Sequence, residues 1–335
     1  MNSTDIQVLT SAIEWLDGGR HIALATVIQT WGSSPRPPGA WAVLRDDGAI
    51  VGSVSGGCIE EDMVRRVREG LLSNDKPEVL AYGATKEESA RFGLPCGGTL
   101  QLVVEPAPDI ANLKLLRQRI AAGLMTARTL DVASGHVLLE SAARNDPVAW
   151  DGKRLTTVHG PQTRLLIIGA AQVSAYLASM AKALDYAVTV CDPREEYHAT
   201  WQVASAHLVT TMPDDAVVAF KPDSGTAIVA LTHDPKLDDL ALLEALRSPA
   251  FYVGALGSRL NAAKRQERLV QHFGMTEAEM WRLHGPVGLH IGSRTPPEIA
   301  VSIVAEIIAV KNAADLTVCR VGTGSAGFAS LCETM

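Results

Sequence analysis

The chain is short of cysteine, of aromatic residues and of positive charge. Only 5 of 335 residues are cysteine, an odd number. Cys58, Cys96, Cys191, Cys319 and Cys332 stand far apart with no CxxC pair, so neither a zinc ribbon nor a thioredoxin-type motif is indicated. Aromatics make up 5 %, which argues against a base-stacking platform. Lys plus Arg is 30 against 37 for Asp plus Glu, a net charge of -7, so nonspecific nucleic-acid binding is disfavoured while local basic sites for a small anion remain open. No apolar run reaches the roughly 18 residues of a membrane span. Even Ile299 to Val310 is broken by Glu306. Met1 to Gln7 lacks the charged and apolar regions of a secretory signal. Neither HxxxH nor HExxH occurs, so no metal site is expected. These absences predict a cytoplasmic protein with reduced thiols, no membrane partner and no nucleic-acid partner.

What is present is enough for a folded protein. Hydrophobic residues make up 47 % and charged residues 20 %, which excludes wholesale disorder. The length predicts about two domains, each able to bury a core. Ile6, Leu9, Ile13 and Leu16 predict an amphipathic helix stopped by Gly18-Gly19. His21 to Ile28 reads as a buried strand, and Trp41 to Val54 as a hairpin turning at Asp46-Asp47-Gly48. A helix is expected from about Ile59 to Gly70, and another near Asp109 to Ala122. The short strands that follow, as far as Pro161, offer no obvious chemistry. From Arg164 strands alternate with helices: Leu165 to Ile168, Ala187 to Cys191, Thr226 to Leu231 and Phe251 to Val253. That is the pattern of a parallel sheet wound with helices. Thr295 and Glu298 form a capping box around Pro296, opening the last helix.

Several loops have the composition of an anion site. Ser33, Ser34 and Arg36 lie in a stiff, proline-rich loop and can donate to phosphate oxygens; the alternative is an ordinary surface turn. Ser55-Gly56-Gly57-Cys58 leads into a helix whose first turn carries Glu60. Its amides and the helix's positive end suit an anion or a Cys58 thiolate; equally, the glycines make a turn and Cys58 is a small core residue. Cys96-Gly97-Gly98 repeats the theme before a strand, where no helix dipole helps. Gly254 and Gly257 to Arg259 follow a strand and open a helix, and Arg294 precedes another helix. Ligands collect at such positions in α/β sheets, though Arg259 and Arg294 could equally be salt-bridge partners. His233-Asp234 reads as an acid/base pair or as solvated loop residues. The dinucleotide fingerprint after the strand ending at Ile168 has Gly169, Ala171 and Ser174 in its three small positions, with Asp192 at the distance of a ribose-binding acid. An Ala methyl at the approach position opposes a pyrophosphate, so the turn speaks against NAD.

Together and in this order the motifs resemble the XdhC/CoxI family. The matching stretches are Gly32 to Ala40, Gly52 to Glu61, Gly93 to Leu100, Phe251 to Arg259 and Gly288 to Ile307. The resemblance implies a small N-terminal α/β domain, 1-160, then a C-terminal Rossmann-like parallel-sheet domain, 161-314, and we expect a flexible tail over 315-335. It further implies a chaperone that holds the molybdenum cofactor (molybdopterin or its cytosine dinucleotide form) while its sulfido ligand is installed. The cofactor then goes to an apo-enzyme of the xanthine dehydrogenase or aldehyde oxidoreductase type. On this reading the cofactor-binding residues are Ser33, Ser34, Arg36, Ser55, Gly56, Gly57, Cys58, Glu60, Cys96, Gly97, Gly98, Gly254, Gly257, Ser258, Arg259 and Arg294. Cys58 is the residue for sulfur or metal contact. The expected partners are a cysteine desulfurase, a second copy of the chain and an apo-molybdoenzyme subunit. Relatives commonly carry Gly-Ala-Gly-His where this chain has Gly169 to Gln172. The competing readings are an NAD(P)-dependent oxidoreductase on the C-terminal domain and a sulfurtransferase using Cys58 or Cys96.

Overall fold

The computed structural model describes residues 3–31, 36–71, 75–83, 99–144, 146–199, 201–204 and 206–314. The chain divides into two compact units, Met1–Gln162 and Thr163–Met335.

Unit 1 opens with α1 (Ser3–Asp17), which buries Val8, Leu9, Ala12 and Ile13. Ile6, expected on the buried face, is 36 % exposed, because the contact stripe is centred on Val8 and Ala12 instead. Strands β1 (Ile22–Trp31), β2 (Trp41–Arg45) and β3 (Ile50–Gly52) follow. Then come α2 (Cys58–Arg68), β4 (Glu78–Tyr82) and β5 (Thr99–Pro106). The five strands pair in the order β3-β2-β1-β5-β4, all antiparallel. Leu44, Val54, Ile59, Met63 and Leu102 form one core of this sheet; Val8, Leu24, Trp41 and Leu113 belong to another. Asp109 caps α3 (Ile110–Ala121) by accepting the Ala111 N–H.

The stretch that looked empty of chemistry builds a second sheet. Its strands are β6 (Thr126–Asp131), β7 (Val137–Ser141), β8 (Ala149–Trp150) and β9 (Arg154–His159), in the order β7-β6-β9-β8. Alternation along β9 buries Leu155, Thr157 and His159.

Unit 2 carries the expected parallel sheet. In chain order its elements are β10 (Arg164–Ile168), α4 (Gln172–Ala183), β11 (Ala187–Cys191), α5 (Glu195–His198), β12 (His207–Val209), α6 (Pro213–Phe220) and β13 (Thr226–Ala230). They continue as α7 (Pro235–Arg247), β14 (Tyr252–Ala255), α8 (Arg259–Phe273), α9 (Glu277–Met280), β15 (Leu283–His284) and α10 (Pro296–Lys311). The order β12-β11-β10-β13-β14-β15, all parallel, is the doubly wound Rossmann order, with its reversal between β10 and β13. Strands buried on both faces explain the unbroken apolar runs. One face packs Leu165, Ile167 and Val229 with Leu177, Ile303 and Ile307; the other packs Leu166, Ile168 and Ile228 with Leu242 and Leu246. The capping box at Thr295 and Glu298 is present. The Gly/Ser-rich segment after Ala314, expected to be a tail, lies outside the described residues.

Candidate functional site

In unit 1 the glycine turn before α2 is built around its own acid. Glu60 Oε1 accepts from Ser53 Oγ at 2.8 Å and from the amides of Val54, Ser55 and Gly56 at 2.9, 2.8 and 2.9 Å. Glu60 Oε2 accepts the Gly57 N–H at 2.8 Å and also the Ser55 hydroxyl. Gly56, at φ 90, supplies the left-handed residue that turns the amides inward. Burial raises the carboxyl pKa, but the donors from Ser55, Gly56 and Gly57 outweigh it and bring it to about 2. The amides of Ser55, Gly56 and Gly57 thus form an anion nest, and in this structure Glu60 is the anion in it. The helix it opens is fixed by Asp62, which accepts from Arg65, Arg66 and Tyr82. Cys58 is the first residue of that helix. Ser33, Ser34, Cys96, Gly97 and Gly98 lie outside the described residues.

A cavity of about 200 Å³ lies in the same unit. Arg36, Pro37 and Pro38 line it from one loop, Trp41, Thr157 and His159 from the two sheets, and Ser53 from the turn after β3. The His159 ring sits 4.3 Å from that of Trp41, and its Nε2 is 2.7 Å from Thr157 Oγ1. Burial, aided by the nearby Arg128 charge, pushes the imidazole down to about 3, so it is neutral near pH 7. Arg128 makes a buried ion pair with Glu105, Nη2 to Oε2 2.6 Å. Trp41 Nε1 is a buried donor with no acceptor among the described residues. Arg36, one of the residues expected to bind the cofactor, lines this cavity. His159 and Thr157 escaped the sequence reading, and their only signal was the period-2 burial of β9.

In unit 2 the dinucleotide turn is also satisfied internally. Asp192 is fully buried; its Oδ2 accepts the Ala170 N–H at 2.7 Å and Arg194 Nη2 at 2.8 Å. Burial raises its pKa, but Arg194 and the Ala170 amide outweigh that and hold it below the usual carboxylate range. An acid so engaged presents no oxygen to a ribose hydroxyl. Cys191 beside it is buried, which pushes the thiol up to about 12, far from thiolate chemistry.

The remaining expected residues have divided roles. Gly254 is buried inside β14, where a Cβ would lie 2.6 Å from Val287 Cγ2 and 2.9 Å from the Tyr252 ring. Its missing side chain serves packing. Ser258 caps α8 by accepting the Asn261 N–H at 3.2 Å. Arg259 is exposed at the start of that helix, and Arg294 is exposed with its backbone N–H on Glu298. Gly257 lines a second cavity, with His233. Asp234 caps α7 through the Lys236 N–H, and among the described residues no hydrogen bond joins its side chain to His233. Glu306, the charge interrupting the apolar run, accepts from Tyr252 Oη at 2.5 Å and the Gly288 N–H at 2.7 Å, with His284 Nδ1 3.2 Å away. Among the described residues no helix is long and apolar enough to cross a membrane.

Fold and loops together define a two-unit α/β protein with a Rossmann-type second unit. The family described as the XdhC Rossmann domain matches residues 165–307, and the one described as the XdhC and CoxI family matches residues 15–83. The chain belongs to the XdhC family. It is 29 % identical over 310 residues to the molybdenum cofactor insertion chaperone PaoD of Escherichia coli, covering 91 % of this chain and 88 % of that one. It is 27 % identical over 325 residues to a probable xanthine dehydrogenase subunit of Bacillus subtilis, covering 88 % and 94 %. A crystal structure of a xanthine dehydrogenase from Bacillus halodurans superposes with a TM-score of 0.71 at 24 % identity, covering 94 % of this chain and 97 % of that one, and shows the same fold.

Proposed function

We propose that this protein is a molybdenum cofactor chaperone: it binds the cofactor, protects it during sulfuration and inserts it into a molybdoenzyme of the xanthine dehydrogenase or aldehyde oxidoreductase type. The observation that carries this reading is the similarity to a molybdenum cofactor insertion chaperone along 91 % of the chain. The cargo is an anionic, phosphate-bearing dithiolene, and the donors lining the cavities of both units are suited to such a ligand. Each cavity is smaller than the roughly 300–1,000 Å³ of a typical small-molecule site. Each therefore takes part of a ligand, which suits a carrier that must release what it holds. Cys58 is the residue assigned to sulfur or metal contact. The partners are a cysteine desulfurase, a second copy of the chain and an apo-molybdoenzyme subunit, in the cytoplasm.

The engaged Asp192 supports this reading over a nicotinamide-dependent oxidoreductase, since the ribose-binding acid is already bonded to Ala170 and Arg194. The test is purification from a host that makes molybdenum cofactor, followed by oxidation and assay for fluorescent pterin and cytidine monophosphate. Pterin alone identifies a molybdopterin carrier, and pterin with equimolar nucleotide a carrier of the dinucleotide form. No pterin, even after loading, rejects the proposal. A Cys58→Ser protein that still delivers sulfurated cofactor rejects the role of Cys58.

A further inference from the structure

The second cavity has a chemistry of its own. It holds about 240 Å³ and is lined by His233 and Pro235 after β13, by Leu256 and Gly257 after β14, and by Asn261, Lys264, Arg265 and Arg268 of α8. It therefore lies outside the carboxyl ends of two parallel strands, where open α/β sheets collect ligands. Gly257 and Asn261 also place it at the positive end of α8, a helix of 15 residues.

The charges there do not cancel. Arg265 is buried against Asp238 at 3.0 Å and Asp239 at 3.2 Å, and Arg268 bonds Asp239 at 2.6 Å. Two guanidiniums thus face two carboxylates. Lys264 is left over. It is exposed, lies one helical turn before Arg268, and enters no hydrogen bond or ion pair among the described residues. His233 lines the cavity from the loop after β13, held at φ 63, a conformation uncommon outside glycine. The cavity therefore gathers a free ammonium, an imidazole, an amide side chain and a helix terminus. Its size admits a phosphate or diphosphate group rather than a whole nucleotide.

We propose that this cavity seats the phosphate end of a small-molecule ligand, a phosphomonoester or a diphosphate, with Lys264 as its principal charge contact and Asn261 and Arg268 as further donors. This deepens the chaperone reading, on which the ligand is the phosphate-bearing cofactor.

The test titrates the full-length protein with inorganic phosphate and with pyrophosphate by calorimetry at low ionic strength. Saturable binding at one site per chain is expected. Lys264→Gln should weaken it about tenfold or more, the scale of one charge-assisted contact. Lys153→Gln, at an exposed position in unit 1, should leave it unchanged. Tighter binding of phosphate marks a monoester site, and tighter binding of pyrophosphate a diphosphate site. No saturable binding of either, or equal loss in both variants, overturns the proposal. If pterin copurifies equally with the wild type and Lys264→Gln, the inference falls and the chaperone reading stands. If pyrophosphate binds through Lys264 but no pterin is ever carried, the chaperone reading falls and the phosphate site stands.

Discussion

The Glu60 carboxylate accepts the N–H of Gly57 three residues before it, at 2.8 Å, closing a turn on which six donors converge. Replacing it with glutamine keeps the shape but puts an amide N–H among donors. Glu60→Gln should destabilise unit 1 by about 2 kcal/mol, the range for hydrogen bonds to a charged group. Denaturant unfolding of the two proteins, at an unchanged m-value, checks this.

Acid should weaken unit 1 in two stages. His159 is neutral in the fold down to about pH 3, whereas the unfolded chain takes up the proton near its ordinary value of 6.5. The stability this group contributes is therefore complete above 6.5 and declines as pH falls toward 3. Glu60 titrates at about 2 when folded and near 4.5 when unfolded, so its share is complete above 4.5 and is lost on the way to 2. A His159→Asn protein, whatever its absolute stability, should lose the upper stage of a melting-temperature-against-pH curve and retain the lower one. A curve that keeps its upper stage rejects the assignment to His159.

Two glycines that share a motif should behave differently. Gly254→Ala drives a methyl to 2.6 Å from Val287 Cγ2 and should cost about 1–3 kcal/mol by overpacking. Gly257→Ala meets Asn261 Cβ at 3.4 Å, ordinary contact, and should change stability by less than about 0.5 kcal/mol. Thermal unfolding of both variants separates a packing glycine from one that borders a cavity.

Asp192→Ala strips Ala170 N–H and Arg194 of a shared, fully buried acceptor. A loss of about 3–5 kcal/mol is expected, as when one partner of a buried charged pair is removed. The wild-type protein should show no micromolar binding of NAD or NADP in calorimetry. Such binding would return the oxidoreductase reading to the front.

The parallel sheet of unit 2 was legible in the sequence because strands buried on both faces are continuous apolar runs, and Leu165–Ile168 is one of them. The capping box at Thr295 was legible because its partners are three residues apart. The use of Glu60 and Asp192 was harder to see. Each fills the place where sequence pattern suggests a ligand, and composition does not distinguish amides awaiting an anion from amides that already have one. His159 was missed because its neighbour Trp41 lies 118 positions away in the chain, a pairing that no local spacing encodes. Of the second cavity, Gly257 and His233 were singled out in the sequence, whereas Lys264, Arg265 and Arg268 were missed because they belong to a helix whose charge reads as a solvated face.

Glu306 also bears on how the chain is made. It sits in α10, the last described helix, and ties Tyr252 and Gly288 to an element that also supplies Ile303 and Ile307 to the core. A ribosome releases β10 to β14 well before that helix. In the interval Leu177, Val229 and the Tyr252 ring lack their final cover, an apolar face open to aggregation. Unit 2 is thus completed from its carboxyl side, and a nascent chain stalled before Glu306 would be a substrate for general folding factors rather than a shorter version of the protein.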